Sequence, residues 1–426
     1  MAQKKNAWQS IRELGRKFGP GVITGASDDD PSGILTYLQA GVVLGVSSLW
    51  TALITLPLMY TIQEMCGRIA LVTGKGLMRL IKDHYSKLIV SLIAIISVLV
   101  ITVNIGADLL AVSIVTEKML GLSRLFWLVI AGAVITLSMV FFSYAKFAKI
   151  LKWLTFSLVF YIVTVLYINV DWREAILSTV WPQFFSWNAT SLMIVVAIIG
   201  TTISPYLFFW QAEEEVEERQ RHVKEAHLKR FVVTKHELKD LKGDTFLGML
   251  LSNAVMWFII LGASNLTRLY GLQEISSFDQ AALALQPLLG DKAFIIFSLG
   301  IIGTGLLAVP VLAGSIGYII SEVFGWHNGL NLKFRQAKAF YGVIVAATAV
   351  GILLSFIGLD PVHLLIYTAI LYTIITPPII LIILRIANNQ AIMGDRVNTL
   401  TNNILGWGAF GFITVLTVAY LILLGK

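Results

Sequence analysis

Three consecutive aspartates, Asp28–Asp30, interrupt the otherwise apolar stretch at residues 18–46 and are followed by Pro31 and Gly33. Proline has no amide hydrogen and disfavours helical geometry in the residue before it, and glycine leaves a helix without a Cβ penalty, so a helix should break here. A half-helix that ends at this break directs its last carbonyl groups, the negative end of its dipole, toward the carboxylates. Carboxylate and carbonyl oxygens are the ligands that hard divalent cations prefer. The segment therefore predicts a cation site.

A second break is predicted at Gly200–Pro205, where small and polar residues interrupt the apolar run 189–211. By itself, a single proline in a helix often produces only a kink. Pro205 follows Pro31 by 174 residues, however, and each lies in the first span of a set of five. Paired interrupted helices in corresponding halves indicate a transporter site at the repeat interface, near the bilayer midplane. We therefore expect the two breaks to face each other.

Three further polar residues lie in apolar segments and could support such a site. Asn104 and Asp108 are four residues apart, so they share one helix face, which we expect to point into the bundle. The alternative for Asp108 is a structural hydrogen bond to a neighbouring helix. Thr376 precedes Pro377 and Pro378, which should kink their helix and expose carbonyl groups nearby.

The composition identifies the elements that must position these residues. Of the 426 residues, 57% are apolar and 13% are charged, and the mean hydropathy is +0.80; a soluble chain averages roughly 45–50% apolar and about 25% charged. This excludes a soluble enzyme and predicts an all-α polytopic membrane protein, because apolar blocks of about 20 residues cross a bilayer as helices. The runs 18–27 and 34–46 are each too short to cross alone, which argues against an ordinary loop at the aspartates. We place eleven transmembrane helices at residues 18–46, 48–66, 88–116, 124–144, 150–170, 189–211, 244–267, 291–323, 337–358, 361–386 and 403–424.

The distribution of basic residues predicts the orientation. Lys and Arg gather on the cytoplasmic side of a membrane. With the tail 1–17 inside, 26 of the 32 basic residues lie in segments assigned to that side. We therefore predict a protein of the cytoplasmic membrane with a cytoplasmic N-terminus. The net charge of +7 follows from this orientation and requires no nucleic-acid partner.

The segment 212–243 is the soluble insert that we expect, a cytoplasmic loop that opens with acidic residues and then becomes basic. We favour a solvated helix that carries ion pairs between residues four apart. The alternative is an acidic mouth that concentrates cations near the cytoplasmic exit.

With these motifs in place, the sequence resembles the NRAMP superfamily, specifically its branch of NRAMP-related magnesium transporters. The resemblance covers about residues 18–424 and rests on Gly19–Gly21, Asp30-Pro31, Leu38–Gly41, Asp108-Leu109 and the Pro205 break. It implies a LeuT-type fold in which helices 1 and 6 are discontinuous. It also implies two inverted five-helix repeats, at 18–170 and 189–386, and an additional helix at 403–424.

The resemblance assigns candidate ligands to this chain residue by residue. It places the family's metal-binding aspartate at Asp30 and its backbone carbonyl ligand at Thr201. The position of the family's asparagine is Gly33 here, and the position of its metal-binding methionine is Ser204. A thioether is a soft ligand that favours transition metals, whereas Mg²⁺ prefers oxygen and keeps several waters. These departures imply a wider and harder site.

Two other departures concern protons. Tyr206 stands where proton-coupled relatives have a histidine, and Ala111 stands where they have an acidic residue. We therefore expect weak or absent proton coupling.

Together these observations predict a transporter that imports Mg²⁺, with Mn²⁺ as a second substrate, by alternating access. Asp30 would hold a partly hydrated ion, and Asp28 and Asp29 would contribute field and shape. The metal is the substrate; we expect no cofactor, no obligate protein partner and no partner beyond the ion and the lipid bilayer. Two alternatives stay open: a proton-coupled Mn²⁺ or Fe²⁺ importer of the same fold, and a membrane-embedded metal-dependent enzyme, which lacks His, Cys or Glu at ligand spacing.

Overall fold

The computed structural model of the chain describes residues 19–141, 158–181, 188–225, 233–356, 358 and 360–425, and the regular structure in these ranges is helical. Short 3₁₀ turns lie at Gly45–Ser48, Leu283–Leu285, Gly290–Lys292 and Gly394–Arg396. The α-helices are α1 (Pro20–Asp28), α2 (Pro31–Leu44), α3 (Trp50–Thr73), α4 (Leu77–His84), α5 (Lys87–Leu120), α6 (Arg124–Phe141), α7 (Val159–Tyr167), α8 (Trp172–Val180), α9 (Ala189–Thr202), α10 (Pro205–Glu225), α11 (Lys235–Tyr270), α12 (Phe278–Ala282), α13 (Gln286–Leu289), α14 (Ala293–Phe324), α15 (Lys338–Leu354), α16 (Pro361–Ala387), α17 (Gln390–Met393) and α18 (Leu400–Leu424).

The first predicted crossing is broken at the aspartates. α1 ends at Asp28, and Asp29 leaves the helix with φ −82° and ψ 57°. Asp30 is extended, with φ −74° and ψ 172°, and its carboxylate caps α2 by accepting a hydrogen bond from Gly33 N at 2.7 Å. Pro31 takes the first position of α2, where a missing amide hydrogen breaks no helical hydrogen bond. The predicted discontinuity in helix 1 is confirmed.

The sixth predicted crossing is broken in the same way. α9 ends at Thr202, and Ile203 leaves the helix with φ −112° and ψ 60°. α10 then begins at Pro205, again with proline in the first turn. The predicted discontinuity in helix 6 is therefore also confirmed.

The expected number of eleven crossings is not confirmed. In the described ranges, seven helices are long and apolar enough to cross a bilayer, or eight if the bent pair 31–48 and 50–73, which meet at 106°, counts as one span. α1 and α2 are separately too short, and α15 has 17 residues, because breaks and tight turns divide the predicted apolar stretches. Residues 142–157 of the fourth and fifth predicted spans lie outside the described residues.

The segment 212–243, predicted as a cytoplasmic loop, is largely helical, and its cytoplasmic location stays a prediction. α10 continues to Glu225, and α11 begins at Lys235. The favoured solvated helix is wrong for the first part of the segment, because Glu213, Glu215 and Arg219 are only 5%, 7% and 5% exposed, whereas residues 220–221 and 234–236 are exposed. Glu213, Glu215 and Arg219 are buried because α10 extends the sixth crossing between α3, α4 and α14.

Glycines allow α1 to lie directly against α11. A Cβ atom on Gly25 would lie 2.3 Å from the Gly248 carbonyl oxygen, and one on Gly248 would lie 2.1 Å from the Gly21 carbonyl oxygen. At the N-terminus of α1, the Asp244 carboxylate accepts hydrogen bonds from Gly19 N at 2.9 Å and from Gly21 N at 2.6 Å. Asp244 thus supplies the cap that a glycine at Gly19 cannot supply itself. α11 thereby positions the aspartates at the other end of α1.

The other long helices form a buried core around the two broken crossings. α5 packs against α14 and α15, and α9 packs against α16. Asn104 and Asp108 of α5 are completely buried in this core. The prediction that they face the bundle interior is consistent with this burial.

Candidate metal site

Asp30 lies at the centre of the two broken crossings and is 2% exposed. Its Oδ1 atom accepts hydrogen bonds from Ser32 Oγ and Gly33 N, both at 2.7 Å, so the start of α2 fixes the carboxylate. Its Oδ2 atom accepts a hydrogen bond from Asn104 Nδ2 of α5 at 3.1 Å. The Asp30 carboxylate is therefore oriented by donors from two elements.

Asn104 joins Asp30 to Asp108. The same Nδ2 atom donates to Asp108 Oδ2 at 2.9 Å. The sequence placed Asn104 and Asp108 on one helix face, and the structure brings both to Asp30. The remaining oxygens, Asn104 Oδ1 and Asp108 Oδ1, are buried and have no hydrogen-bond partner among the described residues.

Asp28 and Asp29 face a different element. Ser252 Oγ of α11 lies 2.8 Å from Asp28 Oδ2 and 3.3 Å from Asp29 Oδ1. This hydroxyl is therefore within hydrogen-bonding distance of both carboxylates. Asp28 is 0% exposed, and its Oδ1 atom has no partner in the described part of the chain. The sequence analysis missed Ser252, because nothing distinguishes it from serines that only pack inside apolar helices.

Gly33 is the point at which the two breaks meet. A Cβ atom on Gly33 would lie 3.2 Å from Thr201 Oγ1, 3.3 Å from the Asp28 carbonyl oxygen and 3.5 Å from Asp30 Oδ1. The expectation that the two breaks face each other is therefore met. A larger residue at this position would occupy space beside the Asp30 carboxylate.

Ser204, Tyr206 and Thr376 surround the second break. Ser204 Oγ donates to the carbonyl oxygens of Gly200 at 2.9 Å and Thr201 at 2.8 Å, and the hydroxyl oxygen can still act as an acceptor. Thr376 Oγ1 lies 3.3 Å from the Ile203 carbonyl oxygen, which links α16 to the break.

Tyr206 connects the two broken crossings. Its hydroxyl donates to the Ser27 carbonyl oxygen at 3.0 Å, at the C-terminal end of α1. The ring lies 5.6 Å from that of Tyr372, whose buried hydroxyl has no hydrogen-bond partner within the described ranges. Tyr372 was not among the predicted site residues, because one tyrosine in an apolar run carries no signal of its own.

The geometry does not form a closed cage of carboxylates. No group of three or more His, Cys, Asp or Glu residues able to hold a metal ion occurs among the residues that the structure describes. The reason is that Asp30 faces α5, whereas Asp28 and Asp29 face α11. The site instead offers separate carboxylate, amide, hydroxyl and carbonyl oxygens, a set suited to a hard cation that retains water.

Comparison with known proteins places the chain among membrane transporters. Residues 21–423 match the family model of Nramp, described as natural resistance-associated macrophage protein-like. The divalent metal cation transporter MntH of Klebsiella pneumoniae subsp. pneumoniae is 24% identical over 404 residues, which cover 94% of this chain and 92% of that protein. MntH of Granulibacter bethesdensis is 23% identical over 408 residues, with 93% and 85% covered.

Solved structures show the same fold. A manganese transporter of Eremococcus coleocola aligns with a TM-score of 0.73 at 16% identity, covering 98% of this chain and 88% of that one. Mhp1, a transporter of the nucleobase-cation-symport-1 family, aligns with a TM-score of 0.52 at 14% identity, covering 96% and 87%. The fold is therefore the LeuT type that the family resemblance implied.

Proposed function

This chain belongs to the Nramp family, and from that premise we propose that it is a divalent metal cation transporter that imports Mg²⁺, with Mn²⁺ as a second substrate. The metal ion is the transported substrate and not a cofactor. Asp30 would hold the ion directly or through one water, and the Asp28 and Thr201 carbonyl groups and the Ser204 hydroxyl would complete its shell. Asp28 and Asp29 would contribute negative field from the α11 side.

One observation carries this proposal: residues next to the oriented Asp30 carboxylate have buried side-chain oxygens without hydrogen-bond partners. Asp28 Oδ1, Asn104 Oδ1 and Asp108 Oδ1 are all enclosed and lack partners among the described residues. Buried polar atoms are normally paired, with protein groups or with ordered water. A hydrated cation, through its coordinated waters, supplies the donors that these oxygens need.

The chemistry of the ligands favours Mg²⁺. Ser204 and Gly33 offer only oxygen or no side chain at positions where the resemblance places a methionine and an asparagine. The thioether sulfur of Met256 accepts a hydrogen bond from Thr202 Oγ1 at 3.5 Å. Hard oxygen ligands suit Mg²⁺, which is dehydrated reluctantly, whereas a thioether would favour softer transition metals.

The structure also supports alternating access around this site. The three aspartates are at most 4% exposed, so bulk solvent does not reach them in this conformation. α1 ends and α10 begins at the site, and the Tyr206 hydroxyl joins them by a hydrogen bond to the Ser27 carbonyl oxygen. Movement of these half-helices would open the site to one side, and we infer the cytoplasmic side for the N-terminus of α1 from the basic residues.

A proton-coupled Mn²⁺ importer is the second candidate. The names of the similar proteins favour it, because one solved relative is a manganese transporter and the MntH proteins are divalent metal cation transporters. Tyr206 and Ala111 argue against the coupling, since neither offers an ionisable group near neutral pH.

A competition assay in reconstituted vesicles separates these candidates. Uptake of Mg²⁺ should be saturable, inhibited by Mn²⁺ and little affected by Ca²⁺, which is larger and takes more ligands. Mn²⁺ uptake that is unaffected by a large excess of Mg²⁺ would reject Mg²⁺ as the substrate.

Proton coupling is tested in the same vesicles with a pH-sensitive dye in the lumen. We expect the luminal pH to stay constant while Mg²⁺ enters. Acidification of the lumen that depends on Mg²⁺ entry would refute the uncoupled mechanism and favour the second candidate.

A further inference from the structure

Two buried carboxyl groups meet beside the middle of α10, about two turns beyond its start at the metal site. Glu213 of α10 is 5% exposed, and Glu322 of α14 is 6% exposed. Both converge on Gly76, the residue that precedes α4. A Cβ atom on Gly76 would lie 1.8 Å from Glu213 Oε1 and 2.6 Å from Glu322 Oε1, so only glycine leaves room for the pair.

The two carboxyl groups differ in their partners. Glu322 Oε2 accepts a hydrogen bond from Arg79 N at 2.8 Å and so caps the first turn of α4. Glu213 is in direct contact with Glu322. Its Oε1 atom is buried and accepts no hydrogen bond from any donor in the described ranges.

The charged groups around the pair do not neutralise it. Glu214 and Glu217 of α10 add negative charge beside Glu213. On α4, the positive charge of Arg79 interacts electrostatically with Glu322. The Lys82 ammonium lies 3.4 Å from the Glu322 backbone carbonyl oxygen. None of the ion pairs formed among the described residues involves Glu213 or Glu322.

Glu217 is already satisfied by other donors. Its Oε1 atom accepts from the Tyr318 hydroxyl at 2.5 Å and from Leu330 N at 2.7 Å, and its Oε2 atom accepts from Asn331 N at 3.0 Å. Tyr318, on α14, therefore faces Glu217 and leaves Glu213 without its hydroxyl. Glu217 therefore does not need the proton that Glu213 Oε1 lacks.

Two carboxylates in contact and removed from water cannot both be ionised, so the pair needs a proton or a cation. The amide groups at the start of α4 face the pair, and the positive end of that helix dipole favours a net negative charge there. This arrangement disfavours a metal ion between the carboxyl groups. A shared proton satisfies Glu213 Oε1 and leaves one negative charge for α4 to stabilise.

We propose that Glu213 and Glu322 form a proton-binding site that holds α10 against α14 and α4, and that release of this proton frees α10. Glu213 is eight residues beyond Pro205, about 12 Å along the helix. Movement at the pair is therefore transmitted along α10 to Ser204 and Tyr206 at the start of the helix. The proton enters and leaves on the α4 side, so it regulates transport without crossing the membrane. The regulation of transport by this proton rests on the proposed metal transport, whereas the proton site itself does not.

Infrared difference spectroscopy on the full-length protein tests the proton site. The wild-type protein should show a carboxylic-acid C=O signal that titrates with pH, and Glu213→Gln and Glu322→Gln should each remove the same component of it. Glu215→Gln is the matched control, because Glu215 is on the same helix, is 7% exposed and is hydrogen-bonded to Gln211 at 2.9 Å. Titrating C=O signals that are identical in the wild type, Glu213→Gln and Glu322→Gln would overturn the proposal.

Mg²⁺ uptake by vesicles with the same pH on both sides tests the consequence. Deprotonation makes the carboxylates repel each other, so wild-type uptake should rise at least about threefold between about pH 6 and about pH 8. A glutamine donates permanently to the remaining carboxylate, so Glu213→Gln and Glu322→Gln should show a flat profile, while Glu215→Gln follows the wild type. An unchanged profile in both variants would contradict the regulatory role. Absence of Mg²⁺ uptake in every protein would contradict the proposed function instead, and the infrared result would then decide the proton site alone.

Discussion

At the scale of single residues, the candidate site is defined by which way each acid points. The sequence identified Asp28–Asp30 as a group, because three carboxylates in an apolar stretch are expensive to bury. The sequence could not show which helix each aspartate faces, because side-chain directions at a helix break depend on individual φ and ψ values. The structure turns Asp30 toward Asn104 and the other two acids toward Ser252.

Ser204→Met should change which ion the protein prefers. The substitution adds a soft thioether beside a site that otherwise offers oxygen, so Mn²⁺ and Cd²⁺ should compete at least about tenfold better against Mg²⁺. The measurement is the half-inhibitory concentration of each ion in Mg²⁺ uptake. The same concentrations in wild type and variant would show that Ser204 does not face the ion.

Asn104→Ala should weaken Mg²⁺ uptake. The variant removes the amide that orients both Asp30 and Asp108, and hydrogen bonds to charged groups contribute about 1.5–3 kcal/mol. We expect the half-saturating Mg²⁺ concentration to rise at least about tenfold. Asn402→Ala is the control, since Asn402 also donates to a carboxylate, Glu64 at 2.8 Å, but outside the site. Equal effects of the two substitutions would show that Asn104 acts only on stability.

At the scale of elements, local sequence rules predicted the breaks and failed on long-range packing. Pro31 and Pro205 each begin a new helix, as the chemistry of proline requires. The start of the charged segment 212–243 was wrongly predicted to be solvated, because a dense run of charges usually is, whereas α10 buries Glu213 and Arg219 against neighbouring helices. The contact of α1 with α11 could not be predicted from local sequence rules either, because it is formed by residues more than 200 positions apart.

Asp244→Ala should loosen α1 while the rest of the fold stays intact. The substitution removes the acceptor for Gly19 N and Gly21 N, and the loss of a helix cap costs about 0.5–2 kcal/mol. Amide hydrogen exchange at residues 20–28 should become about 2- to 30-fold faster. Asp240→Ala, an exposed position one turn earlier that contacts His236, serves as the control. Exchange that is equally slow in both variants would show that glycine packing alone holds α1.

At the scale of the whole molecule, the family match covers almost the entire chain, and the fold is that of known transporters. The division into repeats at 18–170 and 189–386 and the orientation in the membrane stay predictions of the sequence. The orientation depends on basic residues on one side of the bilayer, a property that the packing of helices does not report.

Cysteine labelling tests the orientation. Cys66 is the single cysteine and is buried, so Cys66→Ser provides a background for adding one cysteine at a time. In intact cells, an impermeant reagent should label Ser123→Cys, in the turn before α6, and should not label Asp83→Cys, on α4. The opposite pattern would invert the predicted topology and place the Glu213–Glu322 pair outside.

Mg²⁺ uptake by vesicles that contain purified wild-type or Asp30→Ala protein tests the central claim most directly. Asp30 is the buried carboxylate that the two broken crossings and α5 hold in place, so its removal should abolish uptake. Asp291→Ala, at an exposed turn, should leave uptake unchanged. Uptake at the wild-type rate in Asp30→Ala would contradict the assignment of this site as the route of the metal ion.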